Sequence, residues 1–177
     1  MSRNWRWLIV MVVGGLAGCT LIQPSPAPPP VAVEPPPAAP AVDTASIVRE
    51  AQSRPESLEV APLESPAIAL LVEQSDTAVA ANQLAQGSIL IERALRIEPY
   101  NPRLWQRLAE IRLAQQRYIE AEEMAMRSYG QSAQVGEWCR RNWLTLRETR
   151  RALGDPTESE KAALRAEECV LAPPPRY

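Results

Sequence analysis

The 177-residue chain contains no histidine, a single lysine and only seven glycines. Histidine is the commonest general base and the commonest side-chain ligand for metals, so its absence argues against both roles. The sequence also lacks a Gly-rich phosphate loop, a nucleophile elbow and a paired-cysteine zinc pattern. We therefore predict a protein that is not an enzyme and that has no catalytic residues, no metal site and no dissociable cofactor.

The N-terminus has the features of a secretory signal peptide. Arg3 and Arg6 supply a positively charged start, and the apolar run 7–13 follows them. The segment Leu16–Cys19 resembles the lipobox of bacterial lipoproteins, in which small residues precede a cysteine. That resemblance implies cleavage after a signal peptide of residues 1–18 and attachment of fatty acyl chains to the cysteine.

Cys19 would then be the first residue of the mature protein and its membrane anchor. The alternative is a transmembrane helix, but residues 7–18 offer about a dozen apolar positions where a span needs roughly twenty. Several acyl chains together hold a protein firmly at a bilayer. Thr20 stands where the inner-membrane retention signal of enterobacterial lipoproteins has Asp, so the resemblance implies the periplasmic face of the outer membrane.

The composition does not favour a nucleic-acid partner. The net charge is −2, and loss of Arg3 and Arg6 with the signal peptide would bring it to about −4. A nucleic-acid-binding domain needs a basic patch or stripe. We predict no such partner for this chain.

Residues 19–66 are predicted to form a disordered, Pro-rich linker. Nine of the seventeen residues from Pro24 to Pro40 are proline, which favours polyproline II and excludes helix. Prolines continue to residue 66, with only a weak helical pattern over Ile47–Gln52. At about 3.1 Å per residue the linker would reach on the order of 140 Å. A ligand for a Pro-binding domain is the alternative interpretation, and we favour the spacer.

Helical periodicity begins at residue 67 and recurs with a period of about 34 residues. We predict an all-α domain over 67–172 with about three helical hairpins, followed by a tail, 173–177. In the clearest hairpin, Asn101 caps a helix whose first residue is Pro102. In the last, Gly154 ends one helix, and the capping-box-like segment Asp155–Glu158 starts the next.

The clearest hairpin resembles the tetratricopeptide repeat. Five residues stand where that family has an aromatic, a Leu, a small residue, a Tyr and an Ala: Trp105, Leu108, Ala109, Tyr118 and Ala121. Gln116 departs from the pattern, because a helix-ending Gly is usual there. The hairpin before it is a degenerate copy, since Gln74 and Ser75 replace the Leu and the small residue. The resemblance implies a short tetratricopeptide-repeat array.

Two cysteines remain besides Cys19. Cys139 and Cys169 each lie fifteen residues from Gly154, the predicted turn of the last hairpin. Residues equidistant from the turn of an antiparallel pair lie at the same height, and the periplasm is oxidising. We predict a disulfide between them, with two separate buried thiols as the alternative.

The helix predicted over residues 135–153 has an arginine-rich face formed by Arg140, Arg147 and Arg151. One interpretation is a basic strip that binds an acidic partner or an anionic cell-wall polymer such as peptidoglycan. The other is a solvated face on which these arginines pair with neighbouring acids, and such pairs contribute little to stability.

Tetratricopeptide arrays bind protein partners on the concave surface lined by the first helix of each repeat. Carried onto this sequence, that family pattern implies eight partner-binding candidates in two repeats: Arg103, Gln106, Glu110, Leu113, Arg141, Leu144, Glu148 and Arg151. The fold alone does not identify the partner.

The combination of lipobox, Pro-rich spacer and short repeat domain resembles the pseudomonad LpoP family. The resemblance covers most of residues 67–170 and is carried by Arg93–Gly130 and by Arg141–Asp155, which begins with the run Arg141-Asn142-Trp143-Leu144. It implies an outer-membrane lipoprotein that activates a bifunctional class A penicillin-binding protein, a peptidoglycan synthase, by direct contact. The alternative is a pilotin-like lipoprotein that assists secretin or pilus assembly.

Overall fold

The computed structural model describes residues 42–53 and 65–169, and every regular element within these ranges is an α-helix. The prediction of an all-α protein is therefore confirmed for this part of the chain. The described helices are α1 (Thr44–Gln52), α2 (Pro66–Ala80), α3 (Leu84–Ile97), α4 (Pro102–Ala114), α5 (Tyr118–Gln131), α6 (Gly136–Ala152) and α7 (Pro156–Glu168). The predicted signal peptide, Cys19, the Pro-rich run and the tail from residue 170 lie outside the described residues.

Helices α2 to α7 pack as three consecutive pairs. Each pair consists of neighbours in sequence, α2 with α3, α4 with α5 and α6 with α7, joined by turns of three residues. Helix α3 also packs on α4, and α5 on α6, so adjacent pairs stack on each other. Apolar side chains from successive pairs form this shared core, among them Ile68, Ile91, Leu104 and Leu108.

The helix starts and stops follow the predicted capping residues. The Asn101 side chain accepts a hydrogen bond from the Arg103 N–H at 3.0 Å, and α4 begins between them. The Asp155 carboxylate accepts one from the Glu158 N–H, also at 3.0 Å, at the start of α7. Gly154 has φ +79° just beyond α6. These caps satisfy main-chain groups that have no partner inside the helix, and the capping predictions are confirmed.

Two turns between paired helices contain a residue in the left-handed conformation that is not glycine. Gln116, in the turn between α4 and α5, has φ +61°, and Asn82, between α2 and α3, has φ +58°. A residue with a Cβ is strained in this region, although Asn tolerates it better than most. The geometry explains why glycine is usual at the position of Gln116.

Cys139 of α6 and Cys169, which follows α7, form a disulfide in the structure. Their sulfur atoms are 1.98 Å apart and their Cα atoms 5.7 Å apart. The Gly136 N–H also donates a hydrogen bond to the Cys169 carbonyl oxygen at 2.6 Å. The start of α6 and the end of α7 are thus joined both covalently and by a main-chain bond.

Helix α1 requires a correction to the predicted linker. Residues 44–52 fall inside the range 19–66, yet they form a helix whose first N–H groups are capped by Asp43. The side chains of Ile47 and Ala51 are 0% and 3% exposed. Interpreting this segment as linker is therefore wrong, because α1 packs into the folded domain.

Candidate partner-binding groove

Helix α1 lies against α4 and α6, the first helices of the second and third pairs. Ile47 and Ala51 of α1 belong to the same buried cluster as Leu113 of α4 and Leu144 of α6. We call the surface of α4 and α6 that α1 covers the α4–α6 groove, and these two leucines form its apolar floor. The eight partner-binding candidates predicted from the sequence lie on the two helices that form this groove.

An ion pair fixes α1 at one side of the groove. The two carboxylate oxygens of Glu50 accept hydrogen bonds from Nη1 and Nη2 of Arg147 at 2.8 and 2.7 Å. These bonds hold the pKa of the Glu50 carboxyl below its usual value despite partial burial, and they raise the pKa of Arg147. Arg147 also donates from Nε to Glu148 at 2.9 Å. Fork-to-fork pairing of this kind is strongly directional, so it orients α1.

A buried polar network connects α4 and α6 beside the apolar floor. Arg141 donates to both oxygens of Glu110, from Nε at 2.9 Å and from Nη2 at 2.6 Å. The Gln106 amide donates to Glu110 at 2.9 Å and to the Thr145 hydroxyl at 2.7 Å. The guanidinium of Arg141 lies 4.4 Å from the ring centroid of Trp138. These bonds lie within α4 or join α4 to α6, and none of them involves an atom of α1.

The structure buries most of the predicted binding residues. Arg103 is half-buried near Trp138, at 5.3 Å from its ring centroid, and Arg151 is exposed and paired with Glu148. The other six candidates are all buried in this structure, and their role in partner binding stays a prediction: Gln106, Glu110, Leu113, Arg141, Leu144 and Glu148. They form the polar network, the apolar floor and the acidic partner of Arg147.

The predicted basic strip on α6 is neutralised by acidic neighbours. Arg140 is buried, with its Nη2 atom 3.3 Å from Glu167 of α7. Arg147 is paired with Glu50 and Glu148, and Arg151 shares Glu148. This arrangement supports the alternative in which the arginines pair with nearby acids, but two of the acids come from α1 and α7 and not from the helix itself.

A cleft of about 340 Å³ remains between α1, α2 and α4. Its lining mixes apolar and polar side chains, including Val48 and Gln52 of α1, Ser75 of α2, and Arg107 and Ile111 of α4. The amide of Gln52 donates to Glu137 of α6 at 3.2 Å. Helix α1 thus fills only part of the concave side of the helix pairs.

Sequence patterns alone did not identify Ile47, Glu50 and Ala51 as groove residues. The signal available was local: Asp43 stands immediately before Thr44 as an N-cap, and the apolar residues after it have helical spacing. Prolines on both sides of this short segment made the pattern look like linker. The acidic partner of Arg147 could not be inferred, because it lies ninety-seven residues away in sequence.

None of the helices in ranges 42–53 and 65–169 is both long and apolar enough to cross a membrane. No group of three or more Cys, Asp or Glu side chains in these ranges is placed to hold a metal ion.

The domain is similar in structure to the globular C-terminal domain of P. aeruginosa LpoP. The TM-score is 0.57 and the sequence identity 24%, over 59% of this chain and 99% of that one. No protein-family model matches the sequence, and no curated protein matches it. The likeness predicted from the sequence is therefore confirmed at the level of the fold: this helical domain and the LpoP domain share one architecture.

Proposed function

We propose that this protein is an outer-membrane lipoprotein that activates a bifunctional class A penicillin-binding protein by direct contact. The observation that carries the proposal is the fold shared with the whole globular domain of LpoP, in a chain that also has a lipobox and a Pro-rich run. In this interpretation the three helix pairs are tetratricopeptide repeats. The protein performs no chemistry of its own.

The proposed mechanism is mechanical and thermodynamic. Acyl chains on Cys19 hold one end at the outer membrane, and the Pro-rich run 24–40 carries the domain across the periplasm towards the peptidoglycan layer. The helical domain then binds the synthase in the inner membrane. Such a partner can shift the synthase only by binding its active conformation more tightly than its inactive one.

The experiment adds the unlipidated mature chain, residues 20–177, to a purified class A penicillin-binding protein. We expect faster glycan polymerisation and crosslinking than with the synthase alone, and a saturable dependence on concentration. Heat-unfolded protein is the matched control. An unchanged rate of both reactions at saturating protein would reject the proposal.

The anchor is tested separately in cells. Mass spectrometry of the mature N-terminus should find an acylated Cys19, and the variant Cys19→Ser should carry no acyl chain. Retention of residues 1–18 in the mature wild-type protein would contradict the lipoprotein assignment.

A further inference from the structure

We propose that the α4–α6 groove is the docking surface for a helix of the protein partner, and that α1 occupies it in the free molecule as a removable, self-supplied ligand. The inference deepens the proposed function, because it names the surface and the kind of segment that the synthase would present. It rests on how α1 is held and on what remains in the groove when α1 leaves.

Helix α1 is held weakly compared with the other helices. It has nine residues, and an isolated helix of that length is unstable in water. Only Ile47 and Ala51 are buried completely. Its polar contacts with the groove include the part-exposed pair of Glu50 with Arg147 and the exposed bond from Gln52. These contacts orient α1 but leave it free to exchange with a competing helix.

The groove keeps its own polar contacts when α1 is absent. The bonds among Gln106, Glu110 and Arg141 involve only α4 and α6. Arg147 retains Glu148 as a partner at 2.9 Å. Release of α1 therefore leaves no buried charge unpaired, and the groove is preorganised to accept a second helix. Preorganisation of this kind favours binding because little has to be ordered on association.

The side chains that α1 inserts define the partner's pattern. The floor of Leu113 and Leu144 takes a branched apolar residue, as it takes Ile47. Arg147 takes a carboxylate three positions later, and a small residue follows at the next position, as in Ala51. We therefore infer an amphipathic helix with an apolar residue, an acid at i+3 and a small residue at i+4. Such helix-in-groove recognition uses anchors on one face.

Because α1 belongs to the same chain as the α4–α6 groove, it competes with a partner helix for that groove. Only residues 53–65 separate α1 from α2 in sequence, so α1 is present at the groove at a high effective concentration. A partner helix must displace α1 from the groove. Substitutions that weaken the docking of α1 should therefore strengthen the binding of the partner. A covering helix that is only structural would give the opposite result, because weakening it would damage the surface.

The test uses the unlipidated mature chain and a fluorescein-labelled synthetic peptide of residues 42–53 as the probe. In the variant Ile47→Asp a charge replaces the buried anchor, so α1 should leave the groove. The matched control is Ala45→Asp, which adds the same side chain at an exposed position of the same helix. Fluorescence anisotropy should show that Ile47→Asp binds the peptide at least about tenfold more tightly than the wild type or the control.

Two checks keep the result interpretable. Far-ultraviolet circular dichroism verifies that Ile47→Asp retains the folded domain, and Glu50→Lys, which repels Arg147, serves as a second releasing variant. A peptide that itself carries Ile47→Asp should bind at least about tenfold more weakly. Equal binding of the unmodified peptide by the wild type, the control and both releasing variants would overturn the groove as a helix acceptor.

The partner is tested in a second arm with the purified synthase. Ile47→Asp should bind the synthase about tenfold more tightly than the wild type, and the unlabelled 42–53 peptide should compete. Equal synthase binding by wild type and variant would overturn the assignment of the groove to the partner. Absence of synthase binding by every variant would instead refute the proposed function, and the peptide arm would still report on the groove.

Discussion

Two neighbouring charged residues on α1 form ion pairs with different parts of the molecule. Arg49 pairs with Asp43 of the same short segment at 2.8 Å, and both side chains are more than 60% exposed. Glu50, the next residue, reaches Arg147 of α6 and connects α1 to the domain. An exposed pair within one segment contributes little to stability, whereas the second pair joins α1 to α6.

We expect Glu50→Gln to loosen α1 at neutral pH. Loss of the charged pair should speed amide hydrogen exchange in residues 44–52 by up to about fivefold, because an exposed or part-exposed pair contributes at most about 1 kcal/mol. Since Arg147 lowers the pKa of Glu50 in the folded state, the contribution is present above the unfolded pKa and is lost as the pH falls through the folded value.

The wild type and Glu50→Gln should therefore become alike in acid. Protection factors, corrected for intrinsic exchange, should converge once the pH has fallen below the lowered folded-state pKa of Glu50. Arg49→Ala is the control and should leave the protection of α1 nearly unchanged at pH 7. Equal protection of wild type and Glu50→Gln at pH 7 would mean that the ion pair does not hold α1.

At the scale of the helix, close packing within the first pair depends on Gly87. A Cβ built on Gly87 of α3 would lie 2.7 Å from Cγ2 of Val79 in α2, whereas a Cβ on Gly130 of α5 meets nothing within 4 Å. Both glycines lie inside helices. Only the first therefore sets the distance between paired helices.

Gly87→Val should destabilise the protein by about 1–3 kcal/mol, because the added methyl groups force α2 and α3 apart. Gly130→Val should leave stability within about 0.5 kcal/mol, since an exposed helix site changes little beyond propensity. Urea unfolding of the two variants beside the wild type measures the difference. The packing argument fails if both substitutions shift the midpoint equally.

The helices with local capping and periodicity signals could be predicted from the sequence. The docked helix α1 could not. Asn101 and Asp155 start α4 and α7 as their capping chemistry requires, and helical spacing marks the buried faces between them. Helix α1 owes its stability to Leu113 and Leu144, which follow it by more than sixty residues. Periodicity in a nine-residue segment cannot report such a partner. The partner-binding candidates lie on α4 and α6, but their burial could not be inferred without α1.

For the whole molecule, the link between Cys139 and Cys169 should determine how well the last helix pair stays closed. The bond spans thirty residues and encloses nearly all of α6 and all of α7. In the chain-entropy model, a loop of this length stabilises the folded state by about 3–4 kcal/mol. Because α6 also forms one wall of the α4–α6 groove, loss of the bond should weaken both global stability and docking of α1.

We expect reduction to lower the unfolding midpoint of the wild type by more than about 10 °C, which follows from about 3 kcal/mol in a domain of this size. The double variant Cys139→Ala/Cys169→Ala should unfold near the reduced wild type and should not respond to dithiothreitol, which separates the bond from side effects of the reductant. Thiol alkylation before mass spectrometry checks the starting state, and two modified cysteines in protein purified from the periplasm would contradict the disulfide. An unchanged midpoint on complete reduction would show that packing of α7 on α6 closes the last pair without it.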